Sequence, residues 1–556
     1  MTVVKWEVRA GAYYDSVVLM QLQRGLLGLP GIVDAGVVMA TPANRDLLAA
    51  NDLLPEKITA NPDDLLIVVK ADDDTSATDA ISKVDELLAR RKSSSISQDF
   101  RPRSLSGAVK QLPEANWVLI SVPGRYAADV AREALDLGKH VFLYSDNVSL
   151  DDEIALKKSA REKGLLVMGP DCGTAIINGV GLGFANRVRR GSIGVVGASG
   201  TGTQAVTAQI HNLGAGISHA IGTGGRDLKS DVGAITAHQA LDALARDDET
   251  KVIVVISKPP SPDVAAQLMS AALFTSKPVV IYFIGYPPPA RQIGNLHFAI
   301  SLSEAAEIAV SQLSVSGKWL SANDQKGYLR GLFSGGTLAY ETLLGLQASL
   351  SPIYSNAPIT NYQNLKDPLH SKAHTIIDLG DEFFMVGRLH PMIDNDLRIR
   401  RMKQEAADAE VGMILFDVVL GEGSHMNPAE ELIPVIKEIQ SSRNDIEFVA
   451  MVIGTDEDPQ DIESQVSQLV NAGVAVFRTA AEAVEYIGLR FSASRKNEFT
   501  SVDLDQLKQP LAAINVGLES FYDSIILQGA QAVHVDWRPP ASGNERLAAL
   551  LAKMKK

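Results

Sequence analysis

The stretch Ile193-Gly-Val-Val-Gly-Ala-Ser-Gly-Thr-Gly-Thr203 decides the fold. Its first half reads as an apolar strand and its second as a turn of glycines and hydroxyl residues. Gln204-Ala-Val-Thr-Ala-Gln-Ile210 continues with a pattern that allows a helix. A strand that feeds such a turn and opens a helix leaves backbone N–H groups unpaired and pointing outward, where the helix dipole also favours negative charge. Ser199, Gly200 and Thr201 are therefore candidate phosphate-binding residues. Tight strand-to-helix turns often need glycine for steric reasons alone, so recurrence of the device is what gives the reading weight.

It recurs at Leu332-Phe-Ser-Gly-Gly-Thr-Leu338, which adds Ser334, Gly335, Gly336 and Thr337 as candidates, and more loosely at Leu420-Gly-Glu-Gly-Ser424, which adds Gly421, Gly423 and Ser424. Between them Gly222-Thr-Gly-Gly-Arg-Asp227 is a further glycine turn, contributing Gly224 and Gly225. Ser199 and Ser334 stand 135 residues apart, about one domain length, which reads as an internal duplication. None of these turns is a Walker A loop, because no lysine follows the glycine at the required place, and none spells Gly-x-Gly-x-x-Gly after a strand. P-loop nucleotide hydrolysis is not expected.

At 556 residues the chain exceeds a single hydrophobic core, and roughly 150 residues per domain gives about three to four domains. Strands alternate with helices through most of the length, which predicts α/β architecture with several doubly wound parallel sheets behind a small N-terminal α+β domain. The expected domains are 1–90, 106–187, 190–315 and 325–495, followed by a C-terminal strand-helix-strand segment at 500–556 with a terminal helix from Glu545. A single such unit cannot bury both faces, so it either adds strands to an earlier sheet or docks on a partner, and a subunit contact is the expectation. The polar, basic stretch 91–105 reads as a linker.

The net charge of −14 argues against a duplex nucleic-acid partner or an anionic membrane surface, while leaving a phosphate-bearing small molecule free to bind locally. No run of about 18 uncharged apolar residues occurs, and one cysteine, Cys172, rules out an intramolecular disulfide and any multi-cysteine zinc site. A cytoplasmic location is the expectation. The histidines and carboxylates form no metal signature, so no metal is expected, and Gly197-Ala-Ser-Gly-Thr201 is not a Gly-x-Ser-x-Gly elbow. Cys172, with no base beside it, reads as a small buried residue. Three side chains are candidates for chemistry. Arg226 follows a glycine turn and can clamp a carboxylate or phosphate bidentately, its alternative being a surface arginine paired with Asp227 or water. His425 stands beside Ser424, placed to donate to an oxyanion or merely to neighbour a helix cap. His390 lies in Leu389-His-Pro-Met-Ile-Asp394 with Asp394.

Gly169-Pro-Asp-Cys-Gly173, Gly194-Val-Val-Gly-Ala-Ser-Gly-Thr201 and Gly222-Thr-Gly-Gly225 resemble the run of motifs in the α-subunit of succinyl-CoA synthetase and related acyl-CoA synthetases. Met413 to Gly423, Phe448 to Ile453 and Ala472-Gly-Val-Ala-Val-Phe477 resemble the carboxy-terminal domain of that enzyme's β-subunit. The single-chain arrangement is similar to the FdrA family over nearly its whole length. Val37-Val-Met-Ala-Thr-Pro-Ala-Asn44, His390-Pro-Met-Ile-Asp394, Ile514-Asn-Val-Gly-Leu-Glu-Ser520 and Val533-His-Val-Asp-Trp-Arg-Pro-Pro540 carry that likeness. The resemblance implies a CoA-binding, Rossmann-like domain at 106–187 and two flavodoxin-type, CoA-ligase-like domains at 190–315 and 325–495. It also implies a histidine that carries phosphate between sites, but the matching place, Gly285 to His297, is shortened and lacks Gly-His-Ala-Gly, so His297 reads as a structural residue. No ATP-grasp domain is visible. The family implies a subunit of a hetero-oligomeric carbamoyltransferase that uses oxamate and carbamoyl phosphate in allantoin breakdown. Acyl transfer from phosphate needs N–H donors of the kind the glycine turns offer. The alternatives are a subunit of an NDP-forming acyl-CoA synthetase, for which CoA would be bound, and a scaffold that has lost its chemistry.

Overall fold

The structure, a computed structural model, describes residues 2–10, 16–55, 58–61, 64–89, 101–314, 325–347, 349–492 and 500–539. Most of the expected linker and the terminal helix from Glu545 lie outside the described residues. The chain divides into two compact units, Met1–Asp152 with Pro510–Lys556, and Glu153–Gln509.

The first unit holds two sheets. In the N-terminal one, Leu65–Ala71 lies between Val3–Arg9 and Ile32–Met39, antiparallel to both. Alternation of side chains explains why its apolar run is continuous. Leu65, Ile67 and Val69 pack with Leu22 and Leu26 of the helix Ser16–Leu27, while Leu66 and Val68 pack with Leu48 and Leu53 on the other face. The second sheet is parallel and is built from both ends of the chain. Within this unit its order is Gln531–Val535, Ala512–Val516, Trp117–Ile120, His140–Leu143. The C-terminal segment thus takes the first of its two alternatives, inserting strands beside Trp117–Ile120. The end of the expected linker also folds differently, because Ser104 Oγ accepts from Gly107 N and so starts the helix Leu105–Gln111.

The second unit holds the two ligase-like sheets. In the first, the parallel strands run Ile217–Gly222, Arg190–Ala198, Val252–Ser257, Val279–Phe283, Leu296–Phe298. Numbered by position in the chain this is the order 2-1-3-4-5 of flavodoxin-type sheets. An antiparallel hairpin, Thr174–Ile177 and Val180–Gly183, extends one edge, so this sheet begins at residue 174 rather than near 190. Its turn is Asn178-Gly179, both with positive φ (50° and 83°), the two-residue hairpin signal that reading the region as a purely parallel sheet passes over.

In the second sheet the order is Ile353–Ser355, His374–Asp378, Tyr328–Phe333, Val411–Val419, Glu447–Ile453, Ala475–Phe477, all parallel. With Ile353–Ser355 set aside as an added edge strand, this is again 2-1-3-4-5. The two halves share one topology, which is what the spacing of Ser199 and Ser334 anticipates.

Candidate functional site

In a 2-1-3-4-5 sheet the crevice between strands 1 and 3, at their carboxyl ends, is where ligands bind, because the connections leave in opposite directions there. In the first half this point falls between Ala198 and Ser257, bringing Ser199, Gly200 and Lys258 to its edge. In the second it falls between Phe333 and Val419, bringing Ser334, Gly335 and Gly336 opposite the loop Gly421–Ser424.

The first turn is tightly built. Ser199 N-caps the helix Gly200–Asn212, its Oγ accepting from Gly202 N at 3.3 Å, and Thr203 Oγ1 donates to Ser199 O at 2.8 Å. A side chain at Gly197 would collide with Thr203 Oγ1, so glycine is required there. Gly200 and Thr201 are exposed, and among the described residues their N–H groups have no partner. The segment Gly169–Thr174 packs beneath. Gly224 has φ +85°, and a Cβ on it would lie 2.5 Å from Pro170 O. Together Asp171, Cys172, Ser199, Gly200, Gly225 and Lys258 line a cleft of about 30 Å³, room for a small anion's oxygens rather than for a whole cofactor.

A buried ion network underlies this turn. Lys157 Nζ, fully buried on the helix Leu150–Lys163, donates to Glu153 Oε1 at 2.9 Å, to Asp227 Oδ1 at 2.8 Å and to Thr223 O at 2.9 Å. Asp227 in turn accepts from Thr236 N and Ala237 N at the start of the helix Ile235–Arg246. Arg226 Nε lies 2.8 Å from Glu153 Oε2. Arg226 is therefore held by Glu153, and its guanidinium is partly committed to the fold. Cys172 is buried, and burial pushes its thiol up to about 12, which leaves it inert. His297 is buried on the strand Leu296–Phe298, and burial pulls its pKa below the usual imidazole value.

The second turn is wired differently. Ser334 N and Oγ both donate to the carboxylate of Asp417, at 2.8 and 2.7 Å, and Arg398 holds Asp417 Oδ1 at 2.8 Å. Arg398 reaches Asn395, Asn395 reaches Glu431, and Glu431 Oε2 lies 3.3 Å from His425 Nε2. His390 and His425 meet around Met392: His390 Nδ1 accepts from Met392 N, and His425 N donates to Met392 O. The helix Gly336–Leu346 has Gly335 at its N-cap and no side-chain cap. Beside it stands Asp378, only 9 % exposed, whose Oδ2 would lie 2.8 Å from a Cβ at Gly336. Thr337 is exposed.

The third loop departs from expectation. Gly421 N is bonded to Gln460 Oε1, and Gly421 O accepts from the same amide. The helix that follows, Pro428–Ser442, is capped by Asn427 rather than by Ser424. Gly421, Gly423 and Ser424 thus form a loop facing the second turn, not a helix N-terminus. His425 is a cap neighbour, its Nδ1 accepting from Asn427 N. Asp394 Oδ1 accepts from Asp396 N at the start of the helix Asp396–Ala406. Lys157, Lys258, Asp378, Arg398 and Asp417 go unnoticed in the sequence. Asp417 alone leaves a local signal, a carboxylate inside the apolar run Met413–Leu420.

No helix among the described residues is long and apolar enough to cross a membrane, and no group of three or more histidine, cysteine or acidic residues among them is placed to hold a metal ion.

Three family profiles match the chain: "AllF, heavy metal-associated domain" over residues 1–102, "CoA binding domain" over 188–285, and "CoA-ligase" over 332–489. The first matched segment contains no histidine or cysteine, so it lacks the imidazole and thiolate donors soft metals prefer. The CoA-binding match falls on the first ligase-like sheet, not on 106–187 where the resemblance places it.

The Escherichia coli K12 protein YahF is 41% identical over 493 residues, spanning 85% of this chain and 95% of YahF. A succinate–CoA ligase α-subunit of Archaeoglobus fulgidus is 31% identical over 34% of this chain and 67% of its own length. The sulfoacetate-CoA ligase subunit SauD of Bilophila wadsworthia is 28% identical over 34% and 67%. Among solved structures, PH0766 of Pyrococcus horikoshii OT3 aligns at 14% identity over 71% of this chain and 89% of its own, with a TM-score of 0.31. The chain is acyl-CoA-synthetase-like, of the succinyl-CoA-ligase α-subunit kind, and it belongs to the FdrA family together with YahF.

Proposed function

We propose that this chain is the acyl-phosphate-binding subunit of a hetero-oligomeric, acyl-CoA-synthetase-like enzyme, with the phosphoryl group held at Gly200 and Thr201. The observation that carries the reading is the pair of exposed, unpartnered N–H groups at the start of Gly200–Asn212, above a cleft that Gly197 and Gly224 keep free of side chains. Backbone donors fixed in advance stabilise charge without reorganising as it develops. Lys258 on the cleft wall adds a positive charge. In this reading the acyl group passes between phosphate and the thiol of CoA, and a further chain supplies the nucleotide chemistry. The CoA-binding and CoA-ligase matches support it.

A second reading, carbamoyl transfer from carbamoyl phosphate to oxamate, is favoured by two features. His297 is buried in a strand, so the chain offers no exposed histidine there to carry phosphate. In the parallel sheet of the first unit, the crevice between Ala512–Val516 and Trp117–Ile120 opens onto the helix Glu519–Leu527. Its first turn carries the Glu519 carboxylate, paired with Arg101, and Leu518 N is taken by Ser121 Oγ. At that helix end a diphosphate such as that of CoA would meet the Glu519 carboxylate and find the Leu518 N–H taken, which leaves, among the described residues, only the start of the helix Gly124–Asp136 to offer N–H groups to the crevice. The readings part in one assay of the full chain co-expressed with its partner subunits. CoA-dependent phosphate release from an acyl phosphate supports the first, and carbamoyl-phosphate-dependent oxamate consumption supports the second. Absence of both in every subunit combination overturns the proposal and leaves a scaffold.

A further inference from the structure

The second turn resembles a phosphate cradle in sequence, yet its surroundings fit a different task. The positive end of the helix Gly336–Leu346 already faces an anion. Asp378 ends the strand His374–Asp378 at its carboxyl edge, and Oδ1 accepts from Gly380 N at 2.9 Å. Its Oδ2 accepts no hydrogen bond among the described residues and points at Gly336, while nine-tenths of the residue is buried. Asp381 and Asp417 add negative charge around it. The His390 Nε2 lies 3.2 Å from where a Cβ on Gly380 would stand, which puts the imidazole on the same wall of the site. A phosphate at this helix end would be repelled by a carboxylate that the fold cannot move away, because Asn356 ties down both its backbone N–H and its carbonyl. What an open, buried carboxylate oxygen does accept is a proton or an N–H or S–H group.

We propose that Asp378 is the general base of the second turn and takes the proton from a neutral nucleophile, a thiol or a carboxamide, as it attacks the acyl phosphate. This rests on the acyl-phosphate reading. The nucleophile's N or S forms a bond to the acyl carbon, and its proton passes to Asp378 Oδ2. The bond between that carbon and the phosphate oxygen breaks, and phosphate leaves with the electron pair. His390, its Nδ1 fixed by the Met392 N–H, is a positioning residue on the same wall of the site. Ser334, tied to Asp417, fixes the turn rather than binding substrate.

Two measurements test this with the full chain. In the co-expressed complex, Asp378→Asn is expected to lower kcat by about 100-fold or more with either acceptor, leaving KM for the acyl phosphate within about threefold, the size of effect a lost general base gives. Retention of kcat within about twofold overturns the proposal. Whichever acceptor, CoA or oxamate, supports turnover identifies the nucleophile. The second measurement needs no activity. Inorganic phosphate is titrated calorimetrically into the Gly200→Pro chain, whose first turn is impaired, and into the Gly200→Pro, Asp378→Asn chain. Tighter phosphate binding by the latter than by the former, with a second site appearing in the isotherm, supports the inference. Equal phosphate binding by the two chains overturns it. If the wild-type complex is inactive with both acceptors, the proposed function falls, and the phosphate titration still decides the role of Asp378.

Discussion

The two glycine turns occupy the same place in the same topology and differ in what lies beside them. At the first, Ser199 caps its own helix, Gly200 faces open space, and the charges below are arranged around a lysine. At the second, Ser334 turns inward to Asp417, no side chain caps the helix, and Asp378 stands over Gly336. The shared topology thus presents different side chains at its carboxyl edge, Lys258 with Asp171 at the first turn and Asp378 at the second. On the proposed reading, one turn takes an anion and the other a group with a proton to give.

The most damaging way to break this comparison is to remove the buried cation under either turn. Lys157 compensates two fully buried carboxylates, Glu153 and Asp227, so Lys157→Met strands buried charge. A loss of about 3–5 kcal/mol is expected in equilibrium urea unfolding, the usual penalty for an orphaned buried ion. Arg398→Met strands Asp417 alone and should cost less than Lys157→Met. A loss below about 1 kcal/mol for Lys157→Met would mean the network is not what holds the first turn.

Next in size is the contrast between the two serines, which the sequence presents as equivalent. Ser334→Ala leaves the buried Asp417 short of a donor and should cost about 1–3 kcal/mol. Ser199→Ala loses only a helix cap, about 1 kcal/mol. Thermal unfolding of the pair decides the order, and equal losses would erase the distinction drawn between the turns.

The architecture was legible because it rests on local pattern. Buried apolar strands, glycine turns and amphipathic helices recur at fixed spacing, and strands such as Tyr328–Phe333 and Glu447–Ile453 fall where periodicity puts them. The site was legible only in part. Ser199, Gly200 and Thr201 share one turn, so their proximity is written in sequence. Asp378 and Ser334 are 44 residues apart and meet because two parallel strands are neighbours in the sheet. The pairing of Ala512–Val516 with Trp117–Ile120 joins segments from opposite ends of the chain, and no local signal states it. Arg226 stands out in the sequence for its place beside a glycine turn, but its partner Glu153 lies on a helix 73 residues earlier.

A milder test acts on the first turn alone. Gly200 is the first helical residue, the position where proline fits best, and Ser199 before it has extended backbone (φ −154°, ψ 114°), as proline requires. Gly200→Pro therefore deletes one outward N–H without disturbing the helix. Phosphate affinity should fall about tenfold, the loss of one hydrogen bond to a charged group, while Gly200→Ala, which meets nothing within 4 Å, stays within about twofold. Calorimetric titration with inorganic phosphate checks both, and unchanged affinity in the proline variant would remove the first turn as the anion site.

The smallest effect is on stability against pH, and it separates a functional carboxylate from a structural one. Burial, with Asp381 and Asp417 nearby, raises the pKa of Asp378 above the usual carboxylate value, against the lowering effect of the Gly380 N–H and His390. The folded chain therefore holds this proton at a pH where the unfolded chain has released it, so stability falls as pH rises through that interval. Asp378→Asn removes the dependence. The variant should equal the wild type in stability at low pH, where both states are protonated, and gain on it as pH approaches neutral. A structural carboxylate would show the opposite, a variant weakened at neutral pH. Greater stability at pH 7 combined with a collapsed kcat in the complex is the signature of a group kept charged at a cost to the fold because the reaction uses it.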